Sequence, residues 1–514
     1  MSAKQTAFFR QGCDSQHGAA LMVMLVIMII GAAAILVSAL SSSSLQIERD
    51  KTTAAALAKA KDALIAYAVS DGNRPGELPC PDFNNDGASV PVVDYNGSNC
   101  QSLVGWLPWK TLGLPDLRDG NGDRLWYALA NPFHASGGAS FTLNSDATTT
   151  YQSQMLTVQD GTTGSTLQSN VVAVVFSPGT LLSGQIRSSN DNNATNAITN
   201  YLEGSNANPT SVVTQTANNT TINDRLLAIG SNELMAPVEM RLAREAKKCL
   251  DDYASSSANK YPWAAPVSDN TNTGTYNTLF GRFSSTPNTN IPTGGGGSPA
   301  QQSALLNAGN TVVSLKFSVP GVSSTTIDRA GDYGKDFAQG DTTYATAMSY
   351  YNAAVSALAP YLSSGSAATT LSNALATMQS AINAIYADSP DPSMSATASW
   401  PVSCTLFTST YWPYWQNEMF YQVASGFQPG SSASFGTSLT INGTGVYRAS
   451  VIVARQAFPA QTPRIVSSDT SYLEATNQHQ TTPSSAFVTY SPSDANYSTV
   501  NDLVLCLDGN NNCK

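Results

Sequence analysis

The first clear pattern in the sequence is an uncharged, strongly apolar run at residues 19–40. As an α-helix rising about 1.5 Å per residue, this run measures roughly 33 Å, which is enough to cross a bilayer core. Helical composition continues beyond it, and Leu57 and Leu64 are spaced to share one helix face. The pattern predicts a first helix at residues 19–69, with its transmembrane part at 19–44 and the remainder lying on a folded body.

The rest of the chain carries an internal repeat. Helical patterns at residues 54–68 and 238–253 are each followed by the same landmarks in the same order. These landmarks pair residues 105–108 with 281–284, 123–130 with 417–424, 171–176 with 450–454, Gln185 and Arg187 with Gln461 and Arg464, 201–206 with 472–477, and 222–224 with 500–502. We therefore predict an α+β fold with two related modules, 45–236 and 237–514, each a helix packed on an antiparallel sheet.

The second module is the longer one, and two segments account for the difference. Residues 270–302 are low in complexity and include a run of four glycines at 294–297, which predicts a flexible segment. Residues 343–387 are rich in alanine at helical spacing, with a Ser-Gly break near the middle, which predicts a helical hairpin. An insertion found in one copy of a duplicate is a candidate for specific function, and a tolerated loop elaboration is the alternative.

Composition narrows the class of protein. Charged residues are only 12% of the chain and the net charge is −10. Because phosphate binding requires clustered Lys and Arg, we expect no nucleic-acid partner. The surface this composition implies, polar but mostly uncharged, suits an exported protein.

Cysteine usage agrees with export. Of the seven cysteines, Cys13 precedes the apolar run. The others are disulfide candidates, with buried free thiols as the alternative. Sequence leaves their pairing open, although short loops favour Cys80–Cys100 and Cys506–Cys513, which leaves Cys249–Cys404.

Two acidic loops place oxygen-bearing side chains at alternating positions beside turn glycines. Such oxygens are the ligands that Ca²⁺ prefers, whereas Asp, Asn and Gly also form ordinary turns without any ion. The candidate calcium ligands are Asp82, Asn84 and Asp86 in the first loop and Asp119, Asn121 and Asp123 in the second.

Catalytic motifs are not evident in the sequence. His134 and His479 lie in different modules and outside any nucleophile or metal-ligand motif, so we predict that the protein is not an enzyme. Glu203 and Glu474 recur once per module, which favours a structural role in ion pairs with Arg187 and Arg464 respectively over a catalytic carboxylate pair.

A Pro-containing loop after the helical insertion is rich in aromatic residues. Trp412, Tyr414 and Trp415 lie within four positions of one another in this loop. Exposed aromatic side chains serve as anchors in protein interfaces. These three residues are therefore candidates for binding a partner, with packing inside the head as the alternative.

The N-terminal segment resembles the class III signal of type IV pilins and pseudopilins, because a short basic leader ends in Gly18 directly before the apolar run. In that family a prepilin peptidase cuts after this glycine, which implies a cleaved leader at residues 1–18 and a mature chain that begins at Ala19. The family usually has glutamate at mature position five, where this chain has Val23. K-type pseudopilins of type II secretion and some minor pilins share this absence, which implies a minor subunit.

The head also resembles large two-module pilin-like proteins of Gram-negative bacteria, through its Leu-Pro-Cys-Pro-Asp landmark at residues 78–82 and Leu-Pro-Trp landmark at 107–109. The combined resemblance implies a structural subunit at the tip, or in assembly initiation, of a type IV pilus or type II secretion fibre, with a head that binds a partner or a surface. Implied partners are other pilin or pseudopilin subunits, prepilin peptidase and the inner membrane. Pilin-like heads can also hold structural calcium.

The location implied by the resemblance is single-pass in the inner membrane, with the head in the periplasm or on the cell surface as part of a fibre. One alternative is a signal-anchored periplasmic binding protein that never enters a fibre. Another is a secreted protein released by signal peptidase near residues 37–39. The sequence leaves open what the head binds and which machine it joins.

Overall fold

The computed structural model describes residues 16–94, 97–134, 141–188, 190–215, 221–257, 259–268, 278–287, 299–339, 342–363, 365–388, 399–424, 427–429, 439–478 and 486–508. Its helices are α1 Gln16–Ser70, α2 Ala147–Thr150, α3 Ala194–Ala197, α4 Ser231–Ser256, α5 Pro299–Ser314, α6 Ser324–Gln339, α7 Tyr344–Leu358, α8 Ser366–Asp388 and α9 Trp412–Trp415. The strands of the first module are β1 Pro91–Asp94, β2 Gly97–Cys100, β3 Val104–Trp106, β4 Trp126–Leu129, β5 Leu156–Asp160, β6 Thr166–Ser177, β7 Val212–Gln215 and β8 Arg225–Gly230. Those of the second are β9 Phe280–Arg282, β10 Met419–Val423, β11 Leu439–Ile441, β12 Thr444–Tyr447, β13 Ala449–Val453, β14 Ala486–Phe487 and β15 Leu503–Leu507.

The second half of α1 lies on the sheet of the first module. Its buried side chains recur every three or four residues and face β6 and β8; they are Ala56, Leu57, Ala60, Leu64 and Ala68. This spacing is the apolar stripe of an amphipathic helix. Arg241 of α4 donates hydrogen bonds to the carbonyl oxygens of Val69 and Asp71, so the end of α1 is also held by the second module's helix.

The two main sheets repeat one strand order. In the first module β8, β6, β4 and β3 are neighbours in that order, and in the second β15, β13, β10 and β9 are neighbours in the same order. All of these pairs are antiparallel, while β5 and β7 extend the first sheet and pair in parallel with each other. The duplicated landmarks of the sequence therefore fall on equivalent strands.

Helix α4 joins the two modules. It follows β8 directly at Ser231, which is earlier than the predicted start at Val238, and Pro237 lies inside it. The helix packs on β13 and β15 of the second sheet and also contacts α1, β6 and β8 of the first module. The modules therefore share one continuous core.

The helical insertion is larger than the predicted hairpin at residues 343–387. Helices α5 and α6 pack with α7 and α8 around a separate core that includes Leu305, Ile327, Phe337 and Met378. The glycines of α6 weaken its helical pattern, since glycine disfavours a helix interior. They serve packing instead, because a Cβ on Gly331 would lie 2.5 Å from the Val313 side chain and 2.8 Å from the Gly309 carbonyl oxygen.

The predicted flexible segment at 270–302 is in part ordered secondary structure. Its described residues, 278–287, contain the edge strand β9, and α5 begins at Pro299. Phe280 and Arg282 of β9 pair with Gln422 and Phe420 of β10. The remaining residues of this segment, including the glycine run, lie outside the described residues.

The membrane-spanning segment predicted at residues 19–44 is contradicted. Within the part of the chain that the structure describes, no helix is long and apolar enough to cross a membrane. The single-pass inner-membrane location inferred from that segment is corrected with it.

Candidate functional site

The start of α1 presents an apolar surface that no described residue covers. Met22 and Met24 are 71% and 70% exposed, and every residue from Leu25 to Ile30 is at least 50% exposed. Further along the same helix, Leu45 and Ile47 are also exposed. Exposed apolar patches of this kind mark interaction surfaces. The predicted processing residues Gly18 and Ala19 are part of α1 and come just before this surface. Their side chains are not among those that the structure describes.

In the head, the Tyr-Leu-Glu segment of the first module, residues 201–203, is held to the start of β8 by hydrogen bonds. The backbone N–H of Glu203 and the side-chain amide of Asn206 donate to Oδ2 of Asp224, at 2.9 Å and 3.1 Å. In return, Oε2 of Glu203 accepts the N–H of Asn223 at 3.1 Å, and its Oε1 accepts the side-chain amide of Gln185 at 2.6 Å. Asp224 is 2% exposed.

The second module repeats this network bond for bond at the start of β15. The N–H of Glu474 and the amide of Asn477 donate to Oδ2 of Asp502, at 3.0 Å and 2.9 Å. Glu474 accepts the N–H of Asn501 at 3.2 Å and the amide of Gln461 at 2.8 Å. The repeat of the whole network shows that these glutamates hold loop to strand, which is the structural role favoured by their recurrence.

The predicted ion pairs of these glutamates with arginine are wrong. Arg187 instead pairs with Asp123 at 2.5 Å and stacks over the ring of Tyr201. Arg464 pairs with Asp146 at 2.6 Å. The glutamates already receive backbone and amide donors, so each arginine is free to bind a different carboxylate.

Burial controls the protonation of these carboxyl groups. Desolvation, followed by the charge of Glu203, raises the pKa of Asp224 to about 8. Desolvation followed by the charge of Glu474 raises the pKa of Asp502 well above its usual range, and burial also raises the pKa of Glu474. Both pairs therefore favour a neutral partner at physiological pH.

A second buried cluster of charges lies between the modules. Asp146 of the first module pairs with Arg464 of the second at 2.6 Å. Glu239 of α4 pairs with Arg455 at 2.8 Å. Glu418 lies beside them and accepts the amide of Asn144 at 2.9 Å. Burial, then the charge of Asp146, raises the pKa of Glu418 to about 8.

The first predicted calcium loop is internally hydrogen-bonded. Oδ1 and Oδ2 of Asp82 accept the N–H groups of Asn84 and Gly87, at 3.1 Å and 2.6 Å. Asp86 accepts the N–H of Ala88 and the amide of Asn84. These are the bonds of Asx turns, which was the alternative to calcium.

The second predicted calcium loop closes against α1. Asp119 accepts the N–H groups of Asn121 and Asp123 and the hydroxyl of Ser177, while Asp123 binds Arg187. A Cβ on Gly120 would lie 2.2 Å from the Arg49 carbonyl oxygen, so the close approach of loop and helix requires glycine. Among the described residues, no group of three or more His, Cys, Asp or Glu side chains is placed to hold a metal ion.

The predicted aromatic partner-binding residues are mostly buried, which contradicts their role as exposed anchors. Trp412 is 4% exposed, Trp415 is fully buried, and Tyr414 is half-buried. The Trp412 ring packs edge-on against Phe407 at 4.8 Å. Their apolar area fills the core that the two modules share, so the packing alternative holds.

Two disulfides are formed among the described residues. Cys80–Cys100 is a pair that its short loop favoured, and Cys249–Cys404 is the pair that remained after the short loops were assigned. Cys506 is also disulfide-bonded, and Cys513 lies outside the described residues. The Cys249–Cys404 bond connects α4 to the segment that follows the helical insertion.

No protein-family model matches this chain, and comparisons with characterised proteins and with solved structures likewise gave no match.

Proposed function

We propose that the chain is a minor pilin-like subunit: a non-enzymatic, structural component of a type IV pilus or type II secretion fibre. In this proposal it is cut after Gly18 by a prepilin peptidase and joins neighbouring subunits through the apolar start of α1. Its two-module head acts at the tip or in assembly initiation and binds a partner or a surface.

The observation that carries the proposal is the division of α1 into two parts. From Ala56 to Ala68 one face of the helix is buried on the sheet, whereas from Met22 to Ile30 the same continuous helix exposes apolar side chains. Exposing such a surface to water costs about 25 cal/mol per Å², so the segment favours an apolar partner. A helix of this kind is suited to pack beside equivalent helices in a fibre.

The head supports a tip position by its size and its rigidity. The two modules share one core and are joined by the ion pair of Asp146 with Arg464 and by the buried hydrogen bond from the Ser145 hydroxyl to Glu239 of α4. A rigid double head would crowd a tightly stacked shaft, whereas at a tip its bulk meets no neighbour above it.

The test is co-isolation with assembled fibres. The chain is produced together with a pilus or type II secretion assembly system, and sheared fibres are probed for it. We expect Ile29→Asp to abolish incorporation, because a charge would enter the helix interface. The matched control is Ile186→Asp, which changes an equally apolar, 76% exposed residue on the head and should leave incorporation unchanged. Equal recovery of both variants in the fibre fraction contradicts the proposal.

A further inference from the structure

One oxygen of each duplicated carboxyl network lacks a donor. In the first module, Oδ2 of Asp224 and both oxygens of Glu203 accept N–H groups, yet Oδ1 of Asp224 is buried and receives none from the described residues. Oδ1 of Asp502 has the same status in the second module. A buried carboxylate oxygen without a donor costs free energy, and the fold repeats this arrangement twice.

A proton resolves the difficulty. Asp224 and Glu203 belong to one buried network, and burial followed by the charge of Glu203 raises the pKa of Asp224; burial and Glu474 act on Asp502 in the same way. Two carboxylates are both acceptors, so a bond between them requires that one carries a proton. With the proton on Oδ1 of the aspartate, this oxygen becomes a donor to the glutamate, and every oxygen of the network is satisfied.

We infer that each module retains one proton at neutral pH, shared by Asp224 with Glu203 in the first module and by Asp502 with Glu474 in the second, and that this proton closes a clamp between the Tyr-Leu-Glu loop and the last strand. Loss of the proton leaves two buried negative charges side by side and opens the clamp. The inference concerns the head alone and holds whether or not the chain enters a fibre.

The surrounding charges do not neutralise either pair. On the first pair's side, Arg225 is bound to Asp50 of α1 at 2.7 Å, and Arg187 is bound to Asp123. The remaining neighbours are the neutral amides of Gln185, Asn206 and Asn223.

Around the second pair, Arg464 weakly favours the charged form of Glu474 but is bound to Asp146, and Asp502 has the neutral neighbours Asn477 and Thr489. A shared proton thus removes one of the two negative charges at each site.

The raised pKa of Asp224 makes the stability of the first module depend on pH. The pKa of Asp224 is about 8 in the folded chain and close to the ordinary value of about 3.9 when unfolded. The folded state therefore binds more protons than the unfolded state between these values, and its stability falls as the pH rises from about 4 to about 8. At pH 5 the clamp is closed, and by pH 9 the first module's clamp is open.

The test is infrared spectroscopy of the full chain, which detects the carbonyl band of protonated carboxyl groups, together with thermal unfolding at pH 5, 7 and 9. At pH 7, Asp224→Asn and Asp502→Asn should each remove one protonated carboxyl from the wild-type spectrum, and the double variant should remove two. Asparagine supplies the donor permanently, so the double variant should match wild type at pH 5 and exceed its melting temperature at pH 9.

The control is Asp116→Asn. Burial raises the pKa of Asp116, but hydrogen bonds from Arg124 and Arg118 outweigh it and hold that pKa low, so this variant should leave the protonated-carboxyl band unchanged. The inference is overturned if the aspartate variants leave both the band and the pH profile as in wild type. Should either variant fail to fold, titration of the band in a Glu418→Gln background decides, because Glu418 also has a pKa of about 8. Constant intensity between pH 6 and 9 in that background overturns the inference equally.

Discussion

The two modules share one carboxyl network but differ in how their arginine is neutralised. In the first module, Arg187 binds Asp123 of the same module. In the second, the position that matches Asp123 is Asn417, and Arg464 binds Asp146 of the first module instead. The first module thus completes its own polar core, whereas the second takes its anion from its neighbour. This Asp-to-Asn difference between the copies adds a side-chain contact between the modules to the core that they share.

The strand pair under this network shows a second difference. Trp106 faces Trp126 across β3 and β4, and both rings pack near Tyr201. At the equivalent place, Arg282 faces Phe420 across β9 and β10. Its guanidinium lies between the rings of Phe420 and Tyr472 and donates to carbonyl oxygens, including that of Val466 at 2.7 Å. The same space is filled by aromatic packing in one copy and by a buried cation in the other.

The largest expected effect comes from the disulfides. The Cys249–Cys404 bond closes a loop with a sequence separation of 155, whereas Cys80–Cys100 closes one of 20. In the chain-entropy model, replacing the first pair by serine costs about 5 kcal/mol and replacing the second about 3 kcal/mol. Chemical denaturation of the two double variants measures the difference. Equal losses, or a larger loss for Cys80 and Cys100, would show that the bond across the insertion does not constrain the second module.

The next largest effect is expected from removing Asp146, the carboxylate that the first module supplies to Arg464 of the second. Asp146→Ala leaves the Arg464 guanidinium with carbonyl acceptors but without its carboxylate, and we expect a loss of about 3 kcal/mol. The loss should appear as faster amide hydrogen exchange in β13 and β15, although the substituted residue belongs to the first module.

The matched variant is Asp123→Ala, which removes the carboxylate that pairs with Arg187 within the first module. Faster exchange should then be centred on β4 and β6. If both variants loosen the same strands, the modules do not differ in the way described.

A smaller effect is expected from removing the helical insertion. The side-chain N–H of Trp400 donates to the Ser284 carbonyl oxygen at 3.2 Å, so the two ends of the insertion already meet. Replacing residues 288–398 by a short Gly-Ser linker should cost about 1–2 kcal/mol, mainly by exposing Trp263, which packs on Tyr344. Circular dichroism and thermal unfolding of the shortened chain measure this cost. Collapse of the β-sheet signal would mean that the bundle is required for the second sheet to form.

The smallest effect is expected from calcium. The carboxylates of the 82–87 and 119–123 loops already accept backbone N–H groups. We therefore expect the melting temperature of chelator-treated protein to rise by less than about 1 °C when Ca²⁺ is added. A rise of several degrees, lost in Asp119→Asn, would instead support the calcium site.

Repeated features were predictable from the sequence, and so were the helices of the insertion, whereas the polar contacts that one copy holds alone were not. Spacing and recurrence located the equivalent strands, and a short loop favoured the Cys80–Cys100 disulfide. Asp224 and Asp502 recur at matching positions of the two modules, so the repeat itself carried a signal for their shared network with the glutamates. Asp146, Arg282 and Glu418 have no counterpart of like charge in the other copy, and their partners are distant in sequence, so no local pattern pointed to them.

The proposed processing and assembly of this chain as a pilin-like subunit can be tested at its mature N-terminus. The full chain is co-expressed with a prepilin peptidase, and the purified product is analysed by intact-mass and N-terminal peptide mass spectrometry, with Gly18→Val as the uncleaved control. The proposed function predicts a product that begins at Ala19 and a control that keeps its leader. A product that retains residues 1–18, or one that begins after residue 39, would contradict it.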